Sequence, residues 1–342
     1  MKKSSLWLGV FGALAILLAV AQAKVLINAA GATFPYPIYG KWFEEFTKVD
    51  PDAQINYQSI GSGGGIRQFT EGTVDFGASD MPMTDEQIGK FKNKPLHFPT
   101  VLGGIVPTYN VPGVTQDLKF TPAALAGIYL GTIKKWNDPE LQKANAGAKL
   151  PDTEIVVVHR SEGSGTSFVW TDYLSKVSPE WKTKVGVNAS VSWPVGLGSK
   201  GNEGVSGVVK QTPNSIGYVE LIYALQNKMA YGFVRNAAGT YLKADLDSVT
   251  AAAAATAKTM PADFRVSITN PPGNTGKNAY PIASFTWLLI PSKIEDPGKK
   301  KAIVTFLHWM LTDGQKYAGS LGYAPLPKEV VAKEDKQIAL IK

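Results

Sequence analysis

The chain has 342 residues, 44% of them apolar, and carries 35 Lys and Arg against 28 Asp and Glu, a net charge of +7. That length suits two lobes of ordinary size, and the absence of cysteine excludes disulfides, thiolate metal sites, cysteine nucleophiles and a lipid-modified N-terminal cysteine. His97, His159 and His308 are scattered without zinc-type spacing, and the basic residues form no block of the kind that grips nucleic acid.

The N-terminus reads as a secretory signal. Lys2 and Lys3 give a positive start, residues 6–21 are apolar, and Ala21-Gln22-Ala23 is an A-x-A cleavage site. The apolar run is slightly short for a membrane span. A mature, exported, soluble protein is expected to start near Lys24, its net charge falling from +7 to +5 with the loss of Lys2 and Lys3.

From Lys24 onward, strand-like runs alternate with helix-like segments. In chain order they are "KVLINAAGATF", a helix over 37–49, "AQINYQSIG", a helix over 64–70, "TVDFGAS", "PTVLGGIVPTYN" and a helix over 122–130. Then come "TEIVVVHR", a helix over 166–176, "SIGYVE", "SFTWLLIP" and a helix over 299–318. The alternation predicts an α/β protein with mixed sheets. "DLDSVTAAAAATAKTM" predicts an alanine-rich helix capped near Asp247 or Ser248, "TNPPGNTGKNAYP" a turn-rich loop, and "LPKEVVAKEDKQIALIK" a surface helix. Tryptophans 42, 136, 170, 181, 193, 287 and 309 mostly fall among apolar neighbours, as core residues do.

Four places read as a strand feeding a helix through small residues. They are Gly31-Ala32-Thr33-Phe34, "QSIGSGGGIRQF" with Ser62 as the expected N-cap, Ser79-Asp80, and Arg160 to Ser167. The first backbone N–H groups of a helix have no intrahelical partner, and the helix dipole adds partial positive charge there. Glycine lets an anion approach those groups, and Ser and Thr add hydroxyl donors. One such start is no more than a capped helix. Four in one chain point to a shared oxyanion ligand.

Arg160 suits that ligand. Its planar fork can pair two oxygens, and it ends a strand, where ligands bind in open α/β sheets. A surface ion pair with Glu162 is the plainer alternative; a dual role has Glu162 orient the guanidinium while Arg160 faces the ligand. Asp80 is the odd member, since a carboxylate repels an anion. It becomes useful when the ligand carries a proton, as phosphate does near neutral pH, with a pKa of roughly 6–7 by analogy with phosphoesters; sulfate carries none. On residue type alone, capping of the following helix is the stronger reading of Asp80.

Other motifs fall away. "GLGSKG" (residues 196–201) matches G-x-G-x-x-G but lacks the preceding strand and the acidic partner of a dinucleotide site, and it reads as a loop. There is no P-loop and no G-x-S-x-G elbow. Ser62 and Ser164 remain conceivable nucleophiles, with only His159 near either in sequence.

Taken together, "GATFPYPIYGKW", "GSGGGIRQ", "DFGASDMPM", "YLGTIKKWNDP", "HRSEGSGTSF", "WPVGLGSKGNEGV" and "SIGYVE" resemble the periplasmic phosphate-binding proteins of Pst-type ABC transporters, in order and over nearly the whole mature chain. The resemblance implies a two-lobed, type II periplasmic binding protein fold, each lobe a mixed sheet flanked by helices. It implies one lobe over 24–100 and 282–342 and the other over 101–281, with hinge crossings near 100–106 and 281–284. It implies a phosphate site of Thr33, Phe34 (through its N–H), Ser62, Asp80, Arg160, Ser164, Gly165 and Thr166. The family usually has aspartate where this chain has Glu162, which changes the tether on Arg160 without removing a ligand contact. Further implications are a non-enzymatic periplasmic monomer, without cofactor or metal, that delivers inorganic phosphate to the membrane components of a phosphate ABC transporter. The competing readings are an exported phosphatase or other serine-dependent hydrolase, and a receptor for another tetrahedral oxyanion such as sulfate or molybdate.

Overall fold

The apolar, β-branched runs pair into sheets, and the amphipathic segments between them cover the faces. The computed structural model describes residues 24–256 and 260–342. The signal-like segment 1–23 and residues 257–259 of the alanine-rich stretch lie outside the described residues. Strands are β1 (Val25–Gly31), β2 (Ala53–Ser59), β3 (Phe76–Ser79), β4 (Leu96–Asn110), β5 (Lys119–Phe120), β6 (Val156–Arg160), β7 (Leu197–Ser199), β8 (Ser215–Glu220), β9 (Ala230–Tyr231), β10 (Phe233–Arg235), β11 (Tyr241–Leu242) and β12 (Ala283–Ile290). Helices are α1 (Tyr36–Val49), α2 (Ser62–Thr70), α3 (Asp85–Ile88), α4 (Pro122–Leu130), α5 (Pro139–Ala144), α6 (Gly165–Val177), α7 (Pro179–Lys184), α8 (Gly201–Gln211), α9 (Leu221–Gln226), α10 (Leu246–Thr256), α11 (Pro297–Leu311) and α12 (Lys328–Ile338).

The main sheet runs β2-β1-β3-β12-β4-β8-β6-β7, with β9 added on β4. The long strand β4 belongs to both halves. Leu96 to Gly104 pair antiparallel with β12, and Ile105 to Asn110 pair antiparallel with β8. On the first side β1 is parallel to both β2 and β3; on the second, β6 is parallel to β8 and β7. A parallel pair needs a crossover, and helices supply it, so the carboxyl ends of β1, β2, β3 and β6 all open into loops that enter helices or lead towards one. Strand β12 is buried throughout and β4 nearly so, which is why both read as near-continuous apolar runs.

Several expectations shift. The helix expected over 299–318 stops at Leu311 and continues as 3-10 turns at Gly314–Tyr317 and Gly319–Leu321. The Gly314 carbonyl turns away to accept the Trp42 indole N–H at 2.6 Å. The alanine-rich helix begins at Leu246, capped by Asp245, whose carboxylate accepts the Ser248 N–H at 2.7 Å while Ser248 Oγ accepts the Asp245 N–H. The expected cap at Asp247 or Ser248 was therefore two or three positions late. Helix α12 is no mere surface helix: it buries Val330, Glu334, Gln337 and Ile338, and Gln337 donates to the His97 carbonyl at 2.7 Å. "GLGSKG" is not a loop; Leu197 to Ser199 form an edge strand on β6, and Gly201 opens α8.

Gly65 shows why α2 is so rich in glycine. A Cβ there would lie 2.5 Å from Gly31 Cα, 2.7 Å from the Ala78 carbonyl oxygen and 2.8 Å from that of Ala30. The helix therefore lies hard against β1 and β3. Gly65→Ala should lower stability by about 1–3 kcal/mol in urea unfolding, the usual cost of overpacking, although helix propensity alone favours alanine by about 1 kcal/mol. A more stable variant would show that the helix can lift off the strands freely.

Candidate functional site

Each expected site residue follows the carboxyl end of a strand, and the structure brings all eight together. Thr33 and Phe34 follow β1, Ser62 follows β2, Asp80 follows β3, and Ser164, Gly165 and Thr166 follow Arg160 at the end of β6. All are buried, including the charged pair: Arg160 is 2% exposed and Asp80 1%. The two halves of the sheet touch here. The Gly63 N–H donates to the Gly163 carbonyl at 2.8 Å. A Cβ on Gly165 would collide with Ser62 Oγ and with Asp80, so only glycine lets these segments meet.

The local chemistry differs from the expected caps. Gly61, at φ +88°, is the N-cap of α2, and Ser62 is its first helical residue. Both the Ile60 and Gly61 N–H groups turn onto the Gly31 carbonyl, which starts the helix one residue early. Ser62 Oγ instead accepts the Asp80 N–H at 3.1 Å. Nor does Asp80 cap a helix. Helix α3 starts only at Asp85, and Thr84 caps it through a reciprocal pair with Gln87, so Ser79-Asp80 is not a helix start. Ser164 is a true N-cap, its hydroxyl accepting the Ser167 N–H at 3.1 Å.

The four hydroxyls share one property. Ser62 accepts from Asp80, Ser164 from Ser167, Thr33 from the Asn202 amide at 2.8 Å, and Thr166 from the same amide at 3.3 Å. Each oxygen takes an N–H through one lone pair, and among the described residues no protein acceptor takes the hydroxyl hydrogen of Thr33, Ser164 or Thr166. Among the described residues no protein acceptor takes the N–H of Phe34, Gly165 or Thr166.

Arg160 is tied on one side. Its Nε donates to Glu162 Oε1 at 2.9 Å, and Nη2 bonds the same oxygen. Nη1 is buried and has no hydrogen-bond partner among the described residues. Glu162 Oε1 also accepts the Gly201 N–H at 3.1 Å. Burial pushes the Glu162 carboxyl up, but Arg160 outweighs it and the net displacement is downward, so the tether is ionised. Asp80 goes the other way. Burial pushes it up from 3.8 to about 7, opposed by the Thr286 hydroxyl, then the Arg160 charge, then Ser62.

Sequence reasoning missed the supporting residues. Asn202, at the start of α8, bridges Thr33 and Thr166. The Tyr218 hydroxyl accepts the Arg160 N–H at 3.1 Å, Tyr223 donates to the Thr33 carbonyl at 2.5 Å, and Thr286 donates to Asp80 Oδ1 at 2.8 Å. Only Asn202 left a signal: "GLGSKGN" is another strand-to-helix glycine start, set aside because it lacked the dinucleotide pattern. Among the described residues no cluster of His, Cys, Asp and Glu could hold a metal, and no helix is long and apolar enough to cross a membrane.

A mixed α/β fold that shares one long strand between its halves and gathers hydrogen-bond donors where those halves meet defines a periplasmic binding protein, and residues 19–314 match the PBP superfamily domain. Within that class the chain belongs to the PstS family of phosphate-binding proteins. It is 46% identical over 312 residues to the phosphate-binding protein PstS of Pasteurella multocida, covering 91% of this chain and 89% of the relative. It is 44% identical over 333 residues to PstS of Haemophilus influenzae, covering 97% and 96%. A high-affinity periplasmic phosphate-binding protein solved with phosphate bound at pH 8.5 shares the fold, with a TM-score of 0.71 at 20% identity over 91% of this chain and 93% of that one.

The raised Asp80 carboxyl has a consequence for the ligand-free protein. Between the unfolded value of 3.8 and the folded value near 7, the native state holds a proton that the unfolded chain has lost. Its contribution to stability is full below 3.8 and is lost as pH rises through 7. Asp80→Asn should flatten that decline, by an amount on the order of 4 kcal/mol at one pKa unit per 1.36 kcal/mol. Urea unfolding of phosphate-stripped protein across this pH range measures it; an unchanged slope would show that Asp80 titrates normally.

Proposed function

We propose that this protein captures inorganic phosphate in the periplasm and delivers it to the membrane components of a phosphate ABC transporter, working as a monomer and not as an enzyme. The observation that carries the reading is the make-up of the buried site. A bare guanidinium nitrogen, four buried hydroxyls and three unclaimed backbone N–H groups gather around one carboxylate acceptor. That set solvates a small oxyanion that keeps one proton. The PstS relatives are phosphate-binding proteins, which agrees with it.

The binding residues on this reading are Thr33, Phe34, Ser62, Asp80, Arg160, Ser164, Gly165 and Thr166. Arg160 contributes charge, Glu162 holds its fork, the hydroxyls and N–H groups solvate the remaining oxygens, and Asp80 accepts the phosphate proton. Because each of these residues is buried, entry and exit require the lobes to part. The change of β4 partner between Gly104 and Ile105, beside the bond from the Ile105 N–H to the Ile282 carbonyl, supports a hinge there. The lobes would be 24–100 with 282–342, and 101–281. Residues 1–23 would be the cleaved signal that sends the chain to the periplasm.

A hydrolase needs a base on its nucleophile. Among the described residues no histidine bonds Ser62 or Ser164; His159 Nδ1 meets its own neighbour's carbonyl and its ring stacks on Trp193, with centroids 4.8 Å apart.

Calorimetry of phosphate-stripped protein should show tight binding of phosphate and weak binding of sulfate at mildly basic pH. Arg160→Ala should weaken phosphate by roughly a hundredfold or more, the scale for removing one partner of a buried charged pair. Equal affinity for the two ions, or unaltered phosphate affinity in Arg160→Ala, would contradict the assignment, and steady turnover of a chromogenic phosphoester would replace it with a hydrolase.

A further inference from the structure

Thr286 lies in the middle of β12, fully buried, in a run whose sequence reads only as core. Its hydroxyl reaches Asp80 Oδ1 at 2.8 Å across 206 residues of chain. An irregularity in the sheet puts it there. Pairing of β12 with β4 shifts between Thr286 and Trp287: Thr286 faces Val101, Trp287 faces Pro99, and Thr100 is skipped. Pro99 has no N–H to give the ladder, so a break there costs little. The freed Thr100 then clamps its neighbour. Thr100 Oγ1 donates to the Thr286 carbonyl at 3.3 Å, and the Tyr39 hydroxyl lies 3.0 Å from Thr100 Oγ1. Thr100 has spent its single hydrogen on Thr286, so Tyr39 is the donor.

We infer that Thr286 is a specificity-determining positioning residue: its hydroxyl occupies Asp80 Oδ1 and so presents Oδ2 to the ligand as an acceptor, which excludes fully deprotonated oxyanions. The inference rests on the reading of Asp80 as the acceptor for a phosphate proton. A protonated Asp80 would do the opposite, donating its O–H to sulfate and welcoming it. Exclusion therefore depends on what keeps the buried carboxyl ionised. Burial outweighs every restraint and leaves the carboxyl raised to about 7, and among those restraints the Thr286 hydroxyl is foremost, ahead of Arg160 and Ser62.

The other titratable groups around Asp80 restrain it less than Thr286 does, or not at all. Those that feel its charge are Arg160 of β6, Glu220 of β8, Tyr39 of α1, Tyr57 of β2 and Tyr323. Burial pushes Glu220 well above the carboxylate range and holds the three tyrosines protonated. Arg160 is already paired with Glu162. Ser62 Oγ accepts the Asp80 N–H, and its hydroxyl lowers the carboxyl less than Thr286 or Arg160 does. Thr286 gives the carboxylate its foremost hydrogen bond, at Oδ1.

The test compares wild type, two hydroxyl-free variants (Thr286→Val and Thr286→Ala), the hydroxyl-keeping Thr286→Ser, and Asp80→Asn. Each is stripped of phosphate, and phosphate and sulfate are titrated by calorimetry from mildly acidic to mildly basic pH. The hydroxyl-free variants should bind sulfate more tightly at neutral pH, cutting the phosphate-to-sulfate ratio roughly tenfold or more, the scale of one hydrogen bond to a charged group. The pH at which sulfate binding fades should rise in both, and Thr286→Ser should restore both ratio and profile. Unchanged ratios and profiles in the hydroxyl-free variants overturn the inference. So does a loss in Thr286→Ser equal to theirs, which would make the residue a packing element. If Asp80→Asn keeps full phosphate selectivity, the acceptor reading itself falls and takes this inference with it; altered selectivity there beside unaltered Thr286 variants removes the inference alone.

Discussion

A buried guanidinium, tied on one side and bare on the other, governs the arrangement of the rest. Arg160 is almost wholly removed from water, and burying such a charge is costly unless it is paired and hydrogen-bonded. Glu162 answers most of that cost through Nε and Nη2, and the Gly201 N–H in turn holds Glu162. Nη1 is left over. A buried donor of that strength without an oxygen is a liability in a stable core and an asset in a receptor. Glu162 thus keeps the fork tethered.

The same logic runs through the hydroxyls. Each takes an N–H from Asp80, Ser167 or Asn202, which orients the oxygen and leaves Thr33, Ser164 and Thr166 with a hydrogen to offer a ligand. The lining is thus a shell of donors with a single carboxylate. On the proposed reading, a dehydrated ion bound by neutral dipoles and one already-paired arginine is held firmly without a large uncompensated charge, and hinge opening releases it. The direct bond between Gly63 and Gly163 shows how closely the two halves meet when that shell is complete.

Much of this was legible because strand-to-helix junctions carry local signatures. The β-branched run before Arg160, the apolar strand before Gly31, and the Gly, Ser and Thr that follow them can be read without knowing any partner. The long-range terms could not. Nothing in "SFTWLLIP" marks Thr286 as different from its neighbours, because its role comes from a shift in pairing with β4. Asn202 was hidden by a pattern that resembled, and failed as, a dinucleotide motif. The glycines of α2 were read as room for an anion; Gly65 instead makes room for β1 and β3, and Gly63 for Gly163. Asp80 was ambiguous between cap and acceptor until Thr84 proved to cap the next helix.

The central claim is that these segments enclose one singly protonated oxyanion between the bare nitrogen of Arg160 and Oδ2 of Asp80. A high-resolution crystal structure of the mature protein saturated with phosphate tests it most directly. The account predicts one ion within hydrogen-bonding distance of Arg160 Nη1, of the hydroxyls of Thr33, Ser62, Ser164 and Thr166, and of Asp80 Oδ2 across a short O–H···O contact. An ion seated elsewhere, or one with Asp80 turned away from every phosphate oxygen, would contradict it.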